Sequence, residues 1–336
     1  MIRRMLWLVL ISGALAGCRD WQSAANQAGA EAARIWSLTL LFTIVLGLVW
    51  LAVMVAVAIV IRRRQNPPVS LHDATLEDAG HRRNSRVVGS LLAATALTVA
   101  ILTVLSFIAQ RPLFAGRAAT AGIRLIGHQW WWEVRYDGAT PSQMFTTANE
   151  IHIPVGTPIR LSLESNDVIH SFWVPSLAGK QDLIPGHNNS IELLARRPGL
   201  YRGQCAEFCG LQHAHMGLLV VAEEPDAFEK WQAAQRAAAE RPQESDRATG
   251  AQVFLSKPCA LCHTIRGTPA GGTVGPDLTH LGSRAYIGAD VLPLTPGTLA
   301  AWIADPHSVK PGVNMPPVQL QGDELNAVTA YLIGLK

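Results

Sequence analysis

Two thiols, an imidazole and a thioether fall within twelve residues in Cys205-Ala206-Glu207-Phe208-Cys209-Gly210-Leu211-Gln212-His213-Ala214-His215-Met216. Sulfur and imidazole donors form a soft set that selects copper, and the thioether argues against zinc. A mononuclear blue-copper site needs one cysteine, two histidines and a weak methionine. Here a second cysteine stands four residues after the first. Two thiolates can bridge two copper ions and share one electron between them, which keeps the change of geometry on oxidation small. Such a centre carries electrons and leaves no position open for a substrate. A strained disulfide or a zinc site are the competing readings of the cysteines. His215 is read as a neighbour of the set, and the isolated His152 and His187 as core or surface polar residues.

A second cluster, Cys259-Ala260-Leu261-Cys262-His263, has the spacing of c-type haem attachment. Its thiols form thioethers to the porphyrin, and the histidine reaches the iron from one side. A zinc half-site would have to recruit His280 and His307. A thiol redox pair should follow a strand in a βαβ unit, which the surrounding pattern lacks. Residues 217–336 hold one methionine, Met315, and elimination selects it over His280 or His307 as second axial ligand. Ligation by His263 and Met315 closes the iron to oxygen and suits electron transfer.

These clusters need elements to hold them, in a chain of 336 residues that is long enough for several units. The five cysteines fall as Cys18 and two close pairs, a poor pattern for a disulfide framework. A net charge of +3, with no basic block interleaved with aromatics, excludes a nucleic-acid binder. Residues 1–18 read as an export signal: Arg3 and Arg4, a short apolar core, and Leu15-Ala16-Gly17-Cys18, which resembles a lipobox that would lipidate Cys18. Cleavage after Ala14-Leu15-Ala16 is the alternative. An exported segment, 19–34, follows. Ile35 to Ile61 and Val87 to Ala109 are uncharged runs of 27 and 23 residues, each beyond the ~20 needed to cross a bilayer. They predict a transmembrane hairpin over 35–110. Its loop, 62–86, carries six arginines against Asp73, Glu77 and Asp78, which places it in the cytoplasm. The remainder then lies outside the membrane of a bacterial cell.

From about Gly122 to Val221 short alternating segments such as Ile151 to Val155, Pro158 to Leu163, Ser190 to Leu194 and Leu218 to Val221 predict a β-sandwich or barrel, assigned to 111–222. Residues 223–244 read as a linker, with a short helix marked by Phe228, Trp231 and Ala234 and a joint at Arg241-Pro242-Gln243. Residues 245–336 read as an all-α unit around the haem motif, with seven basic and seven acidic residues in 241–336 and hence weak electrostatic steering of a donor.

The segments His128-Gln129-Trp130-Trp131-Trp132, Val168-Ile169-His170-Ser171-Phe172-Trp173-Val174-Pro175 and Cys205 to Met216 resemble subunit 2 of haem–copper cytochrome c oxidases. Residues 245–336 resemble a class I cytochrome c, and the whole resembles the fused subunit 2 of a caa3-type oxidase. The resemblance implies a multidomain chain: two transmembrane helices, a cupredoxin-like all-β domain, then an all-α cytochrome c. It further implies that Cys205 and Cys209 bridge a dinuclear CuA centre. His170 and Met216 would complete one ion, His213 and the Glu207 carbonyl the other, with the Glu207 carboxylate toward an interfacial magnesium. Trp130 matches the family's surface aromatic that accepts electrons from the donor. The implied partners are the catalytic haem–copper subunit 1, other oxidase subunits, membrane lipid, and an external donor that is a cytochrome c or a quinol-oxidising complex. Electrons would run from donor to haem c to CuA to the catalytic subunit. The second membrane helix departs from the family: Gly80 to Val88 holds neither its Glu nor its Trp-Thr-x-x-Pro pattern, so no proton-admitting role carries over. Other classes remain: a nitric or nitrous oxide reductase component, or a copper-delivering lipoprotein without haem.

Overall fold

The computed structural model describes residues 22–64, 74–114 and 122–336. The export signal, Cys18 and the middle of the predicted cytoplasmic loop lie outside these residues. Helices α1 (Ala30–Arg64) and α2 (Ala74–Phe114) are 35 and 41 residues long. At 1.5 Å rise per residue each exceeds the ~30 Å of bilayer hydrocarbon. Leu48, Trp50 and Leu92 are more than 60% exposed, which an aqueous surface would not tolerate in such numbers. Among the described residues these are the two helices long and apolar enough to cross a membrane.

Ten strands follow: β1 (Gly122–His128), β2 (Trp131–Tyr136), β3 (Phe145–Ala148), β4 (Glu150–Pro154), β5 (Ile159–Ser165), β6 (His170–Trp173), β7 (Gln181–Leu183), β8 (Asn189–Leu193), β9 (Gly199–Cys205) and β10 (Gly217–Glu223). They form two five-stranded sheets among the described residues, ordered β3-β2-β1-β5-β8 and β4-β10-β9-β6-β7. Strand side chains alternate between faces, so Ile123, Leu125, Leu161 and Leu163 of one sheet share a core with Ile151, Ile153, Phe172 and Val220 of the other. This is the β-sandwich the alternating pattern predicts. Before α1, residues 28–30 run along the sandwich, the amides of Ala28 and Gly29 donating to Ser176 O.

The predicted linker holds helix α3 (Pro225–Arg236), which is seated on the sandwich. Phe228 joins the sandwich core. Trp231 stacks flat on His152, with ring centroids 3.9 Å apart. Beyond it come α4 (Ser245–Ser256), α5 (Cys259–Cys262), the two-residue strands β11 (Tyr286–Ile287) and β12 (Leu292–Pro293), α6 (Pro296–Ala304), α7 (Pro306–Val309) and α8 (Gly322–Ile333). Helices α4 and α8 cross closely because residue 250 is glycine: a Cβ there would lie 2.0 Å from Ala327 O. Phe254, Ile265, Leu299, Val328 and Leu332 form a separate helical core.

Candidate electron-transfer centre

Strands β6 and β9 are antiparallel, with Phe172 opposite Cys205. This pairing brings His170, which opens β6, to the end of β9 where Cys205 begins the sulfur-rich loop. The loop runs from Cys205 to Met216 and returns into β10, so both ends are fixed in one sheet. Cys205 Sγ lies 3.7 Å from Cys209 Sγ and 3.8 Å from His170 Nδ1. Cys209 Sγ lies 3.6 Å from His213 Nδ1 and 3.8 Å from Met216 Sδ. The Glu207 carbonyl accepts from Cys205 Sγ at 3.2 Å. Donors 2.0–2.3 Å from a tetrahedral metal stand about 3.3–3.8 Å apart. The spacing of the set therefore suits metal ions between its members, and His170, Cys205 and Cys209 already converge within 4.8 Å. His170, Cys205, Cys209 and Met216 are buried, which keeps competing water away.

The electrostatics prepare the same chemistry. The Cys209 sulfur beside it pushes the Cys205 thiol down to about 3, with His170 adding to this against the burial that opposes both. The Cys209 thiol moves up, because Cys205 beside it and burial both disfavour a second thiolate. Two sulfurs this close resist ionising together, and soft cations compensate the charge of a thiolate pair. Behind His170 stands Asp167, whose Oδ1 is 2.8 Å from His170 Nε2. Burial alone would lower the His170 pKa, but Asp167 and Cys205 raise it. The carboxylate fixes the ring so that Nδ1 faces the sulfurs, the usual outer-shell support of a metal-binding histidine. Asp167 also accepts from the amide of Gln129 at 2.6 Å. Its signal in the sequence is faint: an acidic residue three before a histidine.

Trp130 and Gln129 grip the loop directly. The Trp130 indole donates to Cys209 O at 2.9 Å, and Gln129 Nε2 donates to the same oxygen at 2.7 Å. Trp130 is 8% exposed, so the expected surface aromatic is covered in this chain. Its ring packs into the sandwich core beside Gly210, and the helical unit reaches the same segment: Lys310 Nζ donates to Trp130 O, Asn314 Nδ2 to Gln129 O, and Gln212 Nε2 to Pro311 O. His215 turns aside to Gln212 Oε1 at 2.7 Å. His152 is buried between Glu150 and Glu223, while His187 is exposed. The Glu207 carboxylate is 46% exposed, with Lys180 Nζ 3.7 Å away.

The haem motif forms α5 and the residue after it. Cys259 and Cys262 are free thiols on one short turn. His263 Nδ1 donates to Pro276 O at 2.8 Å, which leaves Nε2 for iron. Burial holds the His263 pKa down, so the ring is a neutral donor. Gly275 lies flat against this ring: a Cβ there would be 2.6 Å from His263 Cε1. His280 Nε2 donates to Ala237 O at 3.1 Å. Met315 is half-buried in the stretch between α7 and α8. The residues therefore suit a covalently attached haem.

Comparison with known families agrees with this division. The family described as cytochrome c oxidase subunit II, periplasmic domain, matches residues 137–223, and the cytochrome c family matches residues 247–336. The cytochrome c oxidase subunit 2 of Alkalihalophilus pseudofirmus is 39% identical over 65% of this chain and 62% of its own length. That of a Bacillus species is 31% identical over 65% and 63%. The chain thus spans a little under two thirds of these two relatives. The subunit 2 of Bacillus subtilis is 28% identical over 99% of this chain and 98% of its own. Two apolar helices, a sandwich carrying the sulfur-rich loop and a helical unit carrying the haem motif are the parts of one architecture: residues 137–223 belong to the family of cytochrome c oxidase subunit II periplasmic domains, residues 247–336 to the cytochrome c family, and the chain is similar along nearly its whole length to a cytochrome c oxidase subunit 2.

Proposed function

We propose that this chain is the electron-receiving subunit of a membrane-bound haem–copper oxidase, taking electrons from an external donor and delivering them to a catalytic subunit that reduces oxygen. The observation that carries the reading is the convergence of His170, Cys205, Cys209, His213 and Met216 at 3.6–3.8 Å spacings, with Asp167 behind His170. Bound here, a dinuclear CuA pair and a covalent haem c would supply two one-electron carriers in series. Cys205 and Cys209 would bridge the copper ions, His170 with Met216 and His213 with the Glu207 carbonyl completing them. Cys259 and Cys262 would hold the porphyrin, and His263 and Met315 its iron.

The chain's own residues keep reorganisation small. Asp167 fixes His170, the Trp130 indole and Gln129 fix the Cys209 carbonyl, and the Pro276 carbonyl fixes His263. The Glu207 carboxylate is 46% exposed and would face an interfacial magnesium. With Lys180 beside it, further oxygen ligands would have to come from the catalytic subunit. Helices α1 and α2 would span the bacterial cell membrane, with the sandwich and cytochrome domains on its outer face, 62–86 inside, and Cys18 as a lipid anchor. Metal and haem content of the purified full-length chain tests the reading. Two copper ions and one haem that survives acid-acetone extraction are expected; a haem-free or copper-free chain overturns it.

A further inference from the structure

Lys310 is a buried amine with no part in the relay. Lys310 follows α7, its amide donating to Pro306 O and its carbonyl accepting from Val313 N, so its backbone is held on both sides. Its side chain ends where the cytochrome domain meets the sandwich, on one carbonyl of each. Nζ donates to Trp130 O at 2.8 Å and to Gly288 O at 3.0 Å, and the residue is 1% exposed. Stripping water from an ammonium is costly, and burial pushes this amine down to about 7. Packing alone would be served better by an apolar chain of the same length. The two carbonyls are not arbitrary partners. Trp130 holds the Cys209 carbonyl through its indole. Gly288 opens a left-handed hook in which Gly288, Ala289 and Asp290 all have φ between 62° and 67°. The hook's Ala289 carbonyl accepts from the Gly217 amide, next to Met216, and its Asp290 pairs with Arg202 of β9. Two non-glycine residues in that conformation carry backbone strain that needs an external hold. Lys310 thus ties the hook and Trp130 together at one atom, on either side of the copper-ligand loop.

We propose that Lys310 is a positioning residue that locks the cytochrome domain onto the copper-ligand loop, an inference that rests on the relay function proposed above. With the lock closed, residues 310–314, which lead into Met315, lie on Gln129, Trp130 and Gln212, so the haem-ligand and copper-ligand segments meet. Electron delivery then occurs within the chain, and Trp130 is closed to a soluble donor.

The test uses the full-length protein in detergent. In the wild type, reductive methylation should modify the exposed Lys180 and spare Lys310; equal rates at the two lysines would overturn the lock. In Lys310→Met, amide exchange at residues 129–132 and 311–315 should rise on the order of tenfold to a hundredfold, the loss of one to two charge-assisted hydrogen bonds. Electron transfer from haem to copper after rapid reduction should slow, with both optical spectra unchanged. Lys310→Arg should restore part of both. Unchanged exchange in Lys310→Met overturns the lock while leaving the relay standing. A wild-type chain that takes up neither copper nor haem overturns the relay, and methylation and exchange still judge the lock.

Discussion

Gly127 to Ala is a single-methyl change that should disable copper binding without touching a ligand. Gly127 lies on β1, paired with β5, and its open face rests on the imidazole of His170. An added Cβ would sit 2.6 Å from His170 Cδ2 and 3.0 Å from Cγ. Ordinary carbon contacts are about 3.5–4.0 Å, so the ring must retreat by roughly 1 Å. It has nowhere to go: His170 is fully buried, held by Asp167 at 2.8 Å and faced by the Trp132 ring. Overpacking of this kind costs about 1–3 kcal/mol of stability. Metal geometry tolerates only ~0.2 Å of ligand displacement. Loss of outer-shell support alone weakens a site by about 10–100-fold. Copper titration of the metal-free full-length chain, followed by thiolate-to-copper absorption, should therefore show affinity reduced by at least that factor. Gly271→Ala, where no atom lies within 4 Å of the new Cβ, is the control and should bind normally. Wild-type affinity and spectrum in Gly127→Ala would refute the packing of His170 described here.

Three further expectations follow from named contacts. Asp167→Asn keeps the shape of the His170 contact but removes its charge, and copper affinity should fall about 10–100-fold; an unchanged titration would remove Asp167 from the site. Gly275→Ala forces a methyl to 2.6 Å from His263 Cε1, so the haem should lose its low-spin spectrum or fail to be retained; a normal spectrum would mean the ring is free to shift. Burial alone would lower the His152 pKa, but Glu150 and Glu223 outweigh it and raise it. Its contribution to stability is then complete below the unfolded value of about 6.5 and is lost as pH rises through the folded value. Urea unfolding of wild type and His152→Gln should thus differ most at the acidic end and converge on the alkaline side. A gap that widens with pH would contradict the cluster.

The candidate donors of the sulfur-rich loop were legible because four chemically distinctive groups fall within twelve residues, where the chain itself enforces proximity. His170 lies thirty-five residues before Cys205 and meets it through the β6–β9 ladder, so its role was accessible only through resemblance. The alternating apolar runs announced the sandwich, since burial on one face imposes a period of two. Helix α3 was visible in Phe228 and Trp231, but its seat on His152 depends on β4, which no local pattern specifies. Gly127 and Lys310 escaped because each acts across strands or domains, and Asp167 because an acidic residue three before a histidine is not a distinctive spacing. Burial of Trp130 was likewise hidden, because its ring packs on a loop about eighty residues away, at Cys209 and Gly210.

On the proposed function, the five side chains around Cys205 and Cys209 hold two coppers sharing one electron, in the same chain as a low-spin haem. Electron paramagnetic resonance of the oxidised full-length protein should show hyperfine structure from two equivalent copper nuclei, beside a low-spin haem signal, with two coppers per chain. Hyperfine structure from a single copper nucleus at one copper per chain would contradict it.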